Sequence, residues 1–299
     1  MSYKAFAATE RGSSHVKLGK ECQDHSHHDK LMNPEIIAVS VADGHGDDSC
    51  FRSQKGAVFA SLFGIRGMFD FITNYKAEFE QENEEMDKEI AEKFIKHIIA
   101  NWQIKVEEDY TKYPFKEDEL AKASEKYRKR YENGESLNKA YGTTLIASAI
   151  TEHYWLGIHI GDGRFTVLYS DGTFDQPIPW DDRCFLNATT SICDDDAFER
   201  ARVKFFPITS EKPPPVAVFL CTDGVDDNYP VEENEKHLYK LYKTIALAFA
   251  NDGFDSTEKQ LKDLVKKFAT EGKGDDTSIA GFIDIEGVKK VKSIWDNEK

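Results

Sequence analysis

The chain has no long hydrophobic run. No window of its 299 residues approaches 18 consecutive apolar residues, and the first residues, MSYKAFAATERG, contain no apolar leader segment. A membrane-spanning helix needs about 20 predominantly apolar residues, and a secretory leader needs an apolar core of its own. We therefore expect a cytoplasmic protein without a membrane partner.

Cysteine is scarce, and its spacing is uninformative. The five residues are odd in number and include no CxxC pair, and they lie at Cys22, Cys50, Cys184, Cys193 and Cys221. Structural zinc sites and disulfide frameworks use recurring pairs of cysteines. The sequence therefore predicts reduced thiols and no zinc site.

Basic residues are also in deficit, with 39 Lys and Arg against 54 Asp and Glu and a formal charge of -15. Nucleic acids are bound chiefly through clustered Lys and Arg. One basic patch, residues 126–130, is flanked by acidic residues and is more typical of a solvated helix face. We expect no nucleic-acid partner.

No Pro/Gly/Ser-rich linker, low-complexity tract or internal repeat divides the chain. The sequence predicts a single domain over residues 1–299 with a charged helical insert at about 109–139. Because the charge density of that insert leaves little apolar area to bury, we expect the insert to be mobile and dispensable for folding.

The chain is organised around Ile36–Gly46, IIAVSVADGHG, where an apolar run ends on Asp43-Gly44-His45-Gly46. The run has the length and composition of a buried strand. The same pattern returns at Val216–Asp227, VAVFLCTDGVDD, and the pair Asp275-Asp276 immediately precedes the apolar run TSIAGFI. Carboxylates at the ends of three buried strands predict a site for a hard cation such as Mg²⁺ or Mn²⁺.

Asp-Gly is also a strong hairpin signature, and the chain has four such pairs. Asp162-Gly163 and Asp171-Gly172 lie between predicted strands, which favours hairpin turns. Asp43-Gly44 and Asp223-Gly224 are followed by loop-like segments instead. For Asp43 and Asp223 the metal and turn interpretations both remain open.

Strand and helix patterns alternate along the chain. Strands are predicted at residues 3–9, 36–43, 142–150, 154–160, 165–170, 216–221 and 277–284, and helices at 51–71, 86–108, 234–249 and 257–269. The strands within 142–170 are predicted to form an antiparallel meander. The polar stretch with His15, His25, His27 and His28 is predicted as a solvated loop. This order predicts an α+β fold of stacked sheets with helices outside.

Five segments occur in a recognisable order: VADGHG, GTTLIASAI, IGDGRFTVLYSDG, LCTDGVDD and GKGDDTSIAGFI, with CQD at residues 22–24. The set resembles the motifs of the metal-dependent serine/threonine protein phosphatases, the protein phosphatase 2C family. Details such as GSSH…CQD are similar to a bacterial subgroup. The resemblance implies a four-layer α-β-β-α sandwich with two central antiparallel sheets. It also implies hydrolysis of phosphoserine and phosphothreonine in proteins through a metal-activated water.

The same resemblance implies two or three Mn²⁺ or Mg²⁺ ions as cofactors. By position, Asp43 would bridge two ions, the Gly44 carbonyl would bind the second, and Asp223 and Asp275 would bind the first. Asp162 with Asp223 would hold a third ion. Expected partners are a phosphorylated protein substrate and a cognate Ser/Thr kinase.

For catalysis, the resemblance assigns His45 as general acid and Asp24 as the residue that holds metal-bound water. The family usually places a phosphate-binding arginine shortly before the CQD segment, but Arg11 is too distant. Lys17, with His15 as the lesser candidate, is predicted to replace it, and Arg164 or Arg52 would be the next to consider. Two alternatives are a catalytically weak phosphoprotein-binding module of the same fold and a hydrolase of free nucleotides.

Overall fold

A computed structural model describes residues 2–76, 88–184 and 188–297. The described strands, numbered in chain order, are β1 (Lys4–Glu10), β2 (Asp24–Met32), β3 (Glu35–Asp43), β4 (Leu145–Ile150), β5 (Tyr154–Ile160), β6 (Arg164–Leu168), β7 (Phe174–Asp175), β8 (Arg202–Pro207), β9 (Ala217–Cys221) and β10 (Thr277–Ile283). The described helices are α1 (Ser13–Leu18), α2 (Ser53–Asn74), α3 (Lys88–Lys112), α4 (Glu117–Leu120), α5 (Glu125–Glu132), α6 (Leu137–Ala140), α7 (Ala197–Arg200), α8 (Asp223–Asp226), α9 (Asn234–Asp252), α10 (Phe254–Glu271) and α11 (Ile285–Asn297), with 3-10 turns at Asp48–Cys50 and Val231–Glu233.

The strands form two antiparallel sheets of five strands each. Sheet A has the order β1-β10-β9-β6-β7 and sheet B the order β2-β3-β4-β5-β8. Helices α2 and α3 cover sheet B, and helices α9, α10 and α11 cover sheet A. The prediction of a four-layer α-β-β-α sandwich is confirmed.

Apolar residues fill each of the three spaces between layers. Val39, Phe165 and Leu220 pack between the two sheets. On the outer side of sheet B, helix α3, predicted at residues 86–108, buries apolar side chains from Phe94 to Val106. Its first two predicted residues, 86 and 87, lie outside the described residues. Side chains at four-residue spacing share one helix face, and the sheet takes that face out of water.

Helix α2 is, among the described residues, the one helix long and apolar enough to cross a membrane by length and composition. Its most apolar 18 residues have a mean hydropathy of 1.3, but 61% of that window is buried inside the fold. Ala57, Ile65 and Met68 pack in the core between the helix and sheet B. The burial is that of a core helix.

The turn at Asp162-Gly163 is not a hairpin, and the predicted meander is wrong at this point. Strands β4 and β5 pair in sheet B, whereas β6 pairs with β9 and β7 in sheet A, so the Gly161–Gly163 link crosses between the sheets. Every residue of β5 and β6 is buried, and strands without polar alternation do not indicate which neighbour they pair with. Asp171-Gly172 does join a paired hairpin, β6 to β7.

The histidine-rich stretch is partly strand rather than solvated loop. Asp24–Met32 forms β2, an edge strand that pairs with β3 along its full length and sets Asp24 opposite Asp43. The His25 Nδ1 atom lies 2.5 Å from the Ser61 hydroxyl on α2. An edge strand with one side open to water tolerates polar residues, which explains why its composition resembled that of a loop.

The charged segment 109–139 buries more of its surface than its composition suggested. Tyr131 is 2% exposed, and its hydroxyl donates to the Ser49 carbonyl at 2.7 Å. Ala123 is buried in the same core, and Phe115 packs against it. The expectation that this segment has little apolar area to bury was wrong.

Arg52 fixes this segment to the start of α2. Its Nε and Nη2 atoms donate to the two Glu119 carboxylate oxygens at 2.7 and 2.8 Å, and Nη1 donates to the Tyr141 hydroxyl at 2.7 Å. Further bonds reach the Tyr113 carbonyl at 2.7 Å and Asp109 at 3.3 Å. The guanidinium is therefore fully engaged within the fold.

Candidate metal centre

Three aspartates converge where strands of both sheets end. Asp43 is the last residue of β3, Asp223 follows β9, and Asp162 lies in the link that crosses from β5 to β6. One carboxylate oxygen of each lies within 4.8 Å of the others, and the described residues contain no other such group of metal-ligating side chains. We call Asp43, Asp162 and Asp223 the aspartate triad.

Close backbone approach brings the crossing link to the end of β9. A Cβ atom on Gly163 would lie 2.2 Å from the Cys221 carbonyl oxygen, so only glycine fits at this position. Thr190 Oγ1 accepts a hydrogen bond from the Gly161 N–H at 2.8 Å on the other side of the link. Asp162 is therefore held beside Asp223 by contacts from both directions.

The triad concentrates negative charge in a desolvated place. Burial, followed by the charge of Asp223, raises the pKa of Asp43 well above its usual range. Burial and then the charge of Asp162 do the same to the pKa of Asp223. The pKa of Asp162 is raised too, chiefly by burial. Crowded carboxylate oxygens form the donor set that Mg²⁺ and Mn²⁺ prefer, and a divalent cation would relieve their repulsion.

Two threonines that the sequence argument did not single out fix the backbone of Asp43. The Thr144 hydroxyl accepts from the Asp43 N–H at 2.9 Å, and the Thr144 N–H donates to the Asp43 carbonyl at 2.8 Å. The Thr143 hydroxyl donates to the same carbonyl at 2.8 Å. In the sequence, these threonines could have been recognised only as a polar pair at the start of an otherwise apolar segment, GTTLIASAI.

Asp24 lies opposite Asp43 in the paired strands β2 and β3, and its charge acts on Asp43 and Asp223. It is 5% exposed, and its Oδ2 atom accepts from the Thr222 hydroxyl at 2.7 Å. Thr222 in turn accepts from the Ser278 N–H at 3.0 Å, which links the ends of β9 and β10. Burial raises the pKa of Asp24 to about 7, although the Thr222 hydrogen bond opposes the shift.

Gly44 occupies a position where no side chain would fit. A Cβ atom there would lie 2.7 Å from the carbonyl oxygens of both Gln23 and Ser53. The Gly44 N–H donates to the Gln23 carbonyl at 2.9 Å, and the Gln23 side-chain amide donates to the His45 carbonyl at 3.0 Å. Gln23, which sequence reasoning treated only as part of CQD, thereby anchors the loop that follows β3.

His45 is half-buried, and its ring packs towards Gly142. The Cδ2 atom lies 2.8 Å from where a Gly142 Cβ would be. Burial and the positive charge of Lys139 lower the His45 pKa to about 4, against the opposing charge of Asp47. At neutral pH the metal-free protein therefore holds a neutral imidazole, which still has one N–H to donate.

Asp275 lies outside the triad. Its side chain is 56% exposed, but it is near enough for its charge to raise the pKa of Asp24 and of Asp223. Its neighbour Asp276 is buried and accepts from the backbone N–H groups of Gly12 at 2.7 Å and Gln23 at 2.5 Å. Asp276 therefore ties the segment before Asp24 to the start of β10.

The predicted phosphate-binding residues lie on α1. His15 Nδ1 is 2.8 Å from Asp276 Oδ2, a contact that raises the His15 pKa. Lys17 is exposed on the same helix. Lys20 was not among the residues predicted from the sequence to bind phosphate. Its amine lies 3.5 Å from the Gly46 carbonyl in the loop after Asp43.

Arg52 and Arg164, the further candidates for binding the substrate phosphate, are both paired with carboxylates within the fold. Arg52 binds Glu119 as described, and Arg164 contacts Asp226 through Nε at 2.8 Å and Nη2 at 2.7 Å. Neither guanidinium can grip a phosphate without breaking these buried contacts.

A family model described as protein phosphatase 2C matches residues 11–266. Among solved structures, the chain is similar to the serine/threonine phosphatase Stp1 from Staphylococcus aureus, with 16% identity, a TM-score of 0.51 and coverage of 95% of this chain and 96% of that one. It is also similar to the Mycobacterium tuberculosis serine/threonine phosphatase PstP/Ppp, with 12% identity, a TM-score of 0.52 and coverage of 95% and 99%. A bacterial serine phosphatase gives 15% identity, a TM-score of 0.52 and coverage of 93% and 96%. No curated protein matches the sequence.

Proposed function

Because this chain belongs to the protein phosphatase 2C family, we propose that it is a Mn²⁺- or Mg²⁺-dependent phosphatase that hydrolyses phosphoserine and phosphothreonine in proteins. The observation that carries the proposal is the aspartate triad, whose three carboxylates lie within 4.8 Å of one another. Phosphorylated proteins are then the substrates, and a Ser/Thr kinase is the enzyme that supplies them.

Asp43, Asp162 and Asp223 would hold the cations, with Asp275 and the Gly44 carbonyl as further ligands. Bound divalent cations supply an activated water at neutral pH and neutralise charge on the phosphoryl oxygens. The protein's own contribution is placement, because Thr143 and Thr144 fix the Asp43 backbone and Thr222 orients Asp24. His45 is the proposed donor of a proton to the departing alkoxide, a role that requires the negative charge of the bound substrate phosphate to raise the His45 pKa from its value of about 4 in the metal-free protein.

Hydrolysis of p-nitrophenyl phosphate and of a phosphoserine peptide with Mn²⁺ tests the proposal. We expect turnover that is absent in a chelated blank and is slower with free nucleotides than with the peptide. Preference for free nucleotides would favour a nucleotide hydrolase. No turnover above the blank would reject the enzyme.

A catalytically weak phosphoprotein-binding module is the second candidate. The observation that favours it is the lowered pKa of His45, because a neutral imidazole is a weak proton donor to a departing alkoxide. Saturable binding of the phosphopeptide without turnover would support this module over the enzyme.

Lys20 and Lys17 are the proposed cations for the substrate phosphate. Lys20→Ala is expected to raise KM for a phosphopeptide several-fold and to lower kcat less, because a lysine point charge contributes mainly uniform binding. Lys17→Ala should have a smaller effect, since only the Lys20 amine approaches the loop after Asp43. Steady-state kinetics at saturating Mn²⁺ measure both, with the exposed Lys262 on α10 as a matched lysine control. An unchanged KM in both variants would place the phosphate contact elsewhere.

A further inference from the structure

Arg164 and Asp226 form a buried ion pair between the segments that carry Asp162 and Asp223. Arg164 follows Asp162 by two residues, and Asp226 follows Asp223 by three. Both guanidinium contacts, at 2.8 and 2.7 Å, fall on the Oδ2 atom of Asp226, and the two side chains are 11% and 5% exposed. The pair therefore connects the two segments that carry Asp162 and Asp223.

The surroundings hold each partner in place. Arg164 Cζ lies 4.9 Å from the centroid of the Trp180 ring, which covers the guanidinium. Asn234 Nδ2 donates to the Asp226 carbonyl at 2.8 Å. Asp226 Oδ1 has no hydrogen-bond partner among the described residues, so Arg164 and, at 3.4 Å, Asn234 Nδ2 both contact the carboxylate through Oδ2.

Arg164 is also within electrostatic reach of Asp162. Its positive charge opposes the rise in the Asp162 pKa that burial causes. An arginine freed from Asp226 would be drawn towards Asp162, because its charge already acts on that carboxylate and a guanidinium binds carboxylates in the same desolvated setting that a cation requires. Arginine and a divalent cation would then compete for Asp162.

We propose that Asp226 holds Arg164 away from Asp162 and thereby keeps the aspartate triad available to a divalent cation. Asp226 is in this account a positioning residue that acts through Arg164, and the inference rests on the proposed metal centre. A pair that served stability alone would leave cation affinity unchanged.

Calorimetric titration of the metal-free protein with Mn²⁺ tests the proposal. Asp226→Asn keeps the shape of the side chain but removes the charge that holds Arg164, and we expect Mn²⁺ affinity to fall roughly 10- to 100-fold. The double variant Arg164→Gln/Asp226→Asn should recover affinity to within about threefold of wild type, because the competing charge is gone. Asp109→Asn is the matched control, since it removes a carboxylate beside the buried Arg52, away from the triad.

Unchanged Mn²⁺ affinity in Asp226→Asn, or no recovery in the double variant, would overturn the inference. If Asp226→Asn does not fold, Arg164→Gln decides: we expect Mn²⁺ to bind more tightly than to wild type, because the positive charge that acts on Asp162 is gone, and unchanged or weaker binding would reject the competition. A wild-type protein that does not bind Mn²⁺ would reject the metal centre itself, whereas wild-type binding with an unaffected Asp226→Asn variant would reject only the role of Asp226.

Discussion

Replacing Asp43 by Asn is expected to abolish Mn²⁺-stimulated hydrolysis and, at the same time, to stabilise the metal-free protein. The loss of activity should exceed about a hundredfold, which is more than a residue that only supports a ligand contributes. Asp43 is the position that the family resemblance assigns to both ions, so its loss affects the whole centre. Asp162→Asn should reduce activity less, because that position is assigned to a third ion.

The gain in stability follows from the raised pKa of Asp43. An unfolded aspartate has a pKa of about 3.9, whereas burial raises the Asp43 pKa well above that value in the folded protein. Between these two pKa values the folded state binds a proton that the unfolded state has released. The stability of the metal-free wild type therefore falls as the pH rises through this window. A neutral Asn removes the contribution of Asp43 to that pH dependence.

Thermal melts of the metal-free protein at a series of pH values from about 4 upwards measure the effect. Mn²⁺ should raise the melting temperature of wild type, since a ligand that binds only the folded state stabilises it, and should have a smaller effect on Asp43→Asn. Asp171→Asn is the matched control, an Asp-Gly pair in an exposed hairpin. A variant that melts below wild type at neutral pH would contradict the electrostatic account.

Arg52→Met is expected to destabilise the fold by about 3–5 kcal/mol, the loss typical when one partner of a buried ion pair is removed. Methionine preserves much of the packing against Phe115 but leaves Glu119 and Asp109, whose side chains are 19% and 11% exposed, without their guanidinium partner. Chemical denaturation measures the change. Arg66→Met is the matched control, because Arg66 lies exposed on the same helix and its loss should be nearly neutral.

The contacts of Arg52 lead us to expect that segment 109–139 is required for folding, although its charged composition had suggested that it was dispensable. Deletion of residues 109–139 should give an unfolded or insoluble chain, since it removes the buried Tyr131 and both carboxylate partners of Arg52. A soluble deletion variant that melts cooperatively near the wild-type temperature, together with a neutral Arg52→Met, would show that the segment is an accessory to the domain.

The sequence by itself located most strands and helices and the positions of Asp43 and Asp223. Strand β5 matches its predicted range, Tyr154–Ile160, and helix α9 begins at the predicted Asn234. These predictions succeeded because each depends on local composition. A short apolar run that ends on a carboxylate indicates a buried strand with a charged residue at its end, and this interpretation does not depend on which strand it pairs with.

Only the tertiary structure decided which of these groups meet. Asp162 joins the triad because the link that carries it crosses between the sheets. The sequence does not indicate this crossing, since strands that are buried on both faces lack the polar alternation that would identify their pairing partners. Asp24 faces Asp43 because a polar segment forms an edge strand. Segment 109–139 packs against the core because Arg52, which lies outside the segment, pairs with its Glu119 and Asp109. Pairing, crossing and burial of charge are all set by contacts between residues far apart in the chain, and those contacts form only when the whole domain has folded.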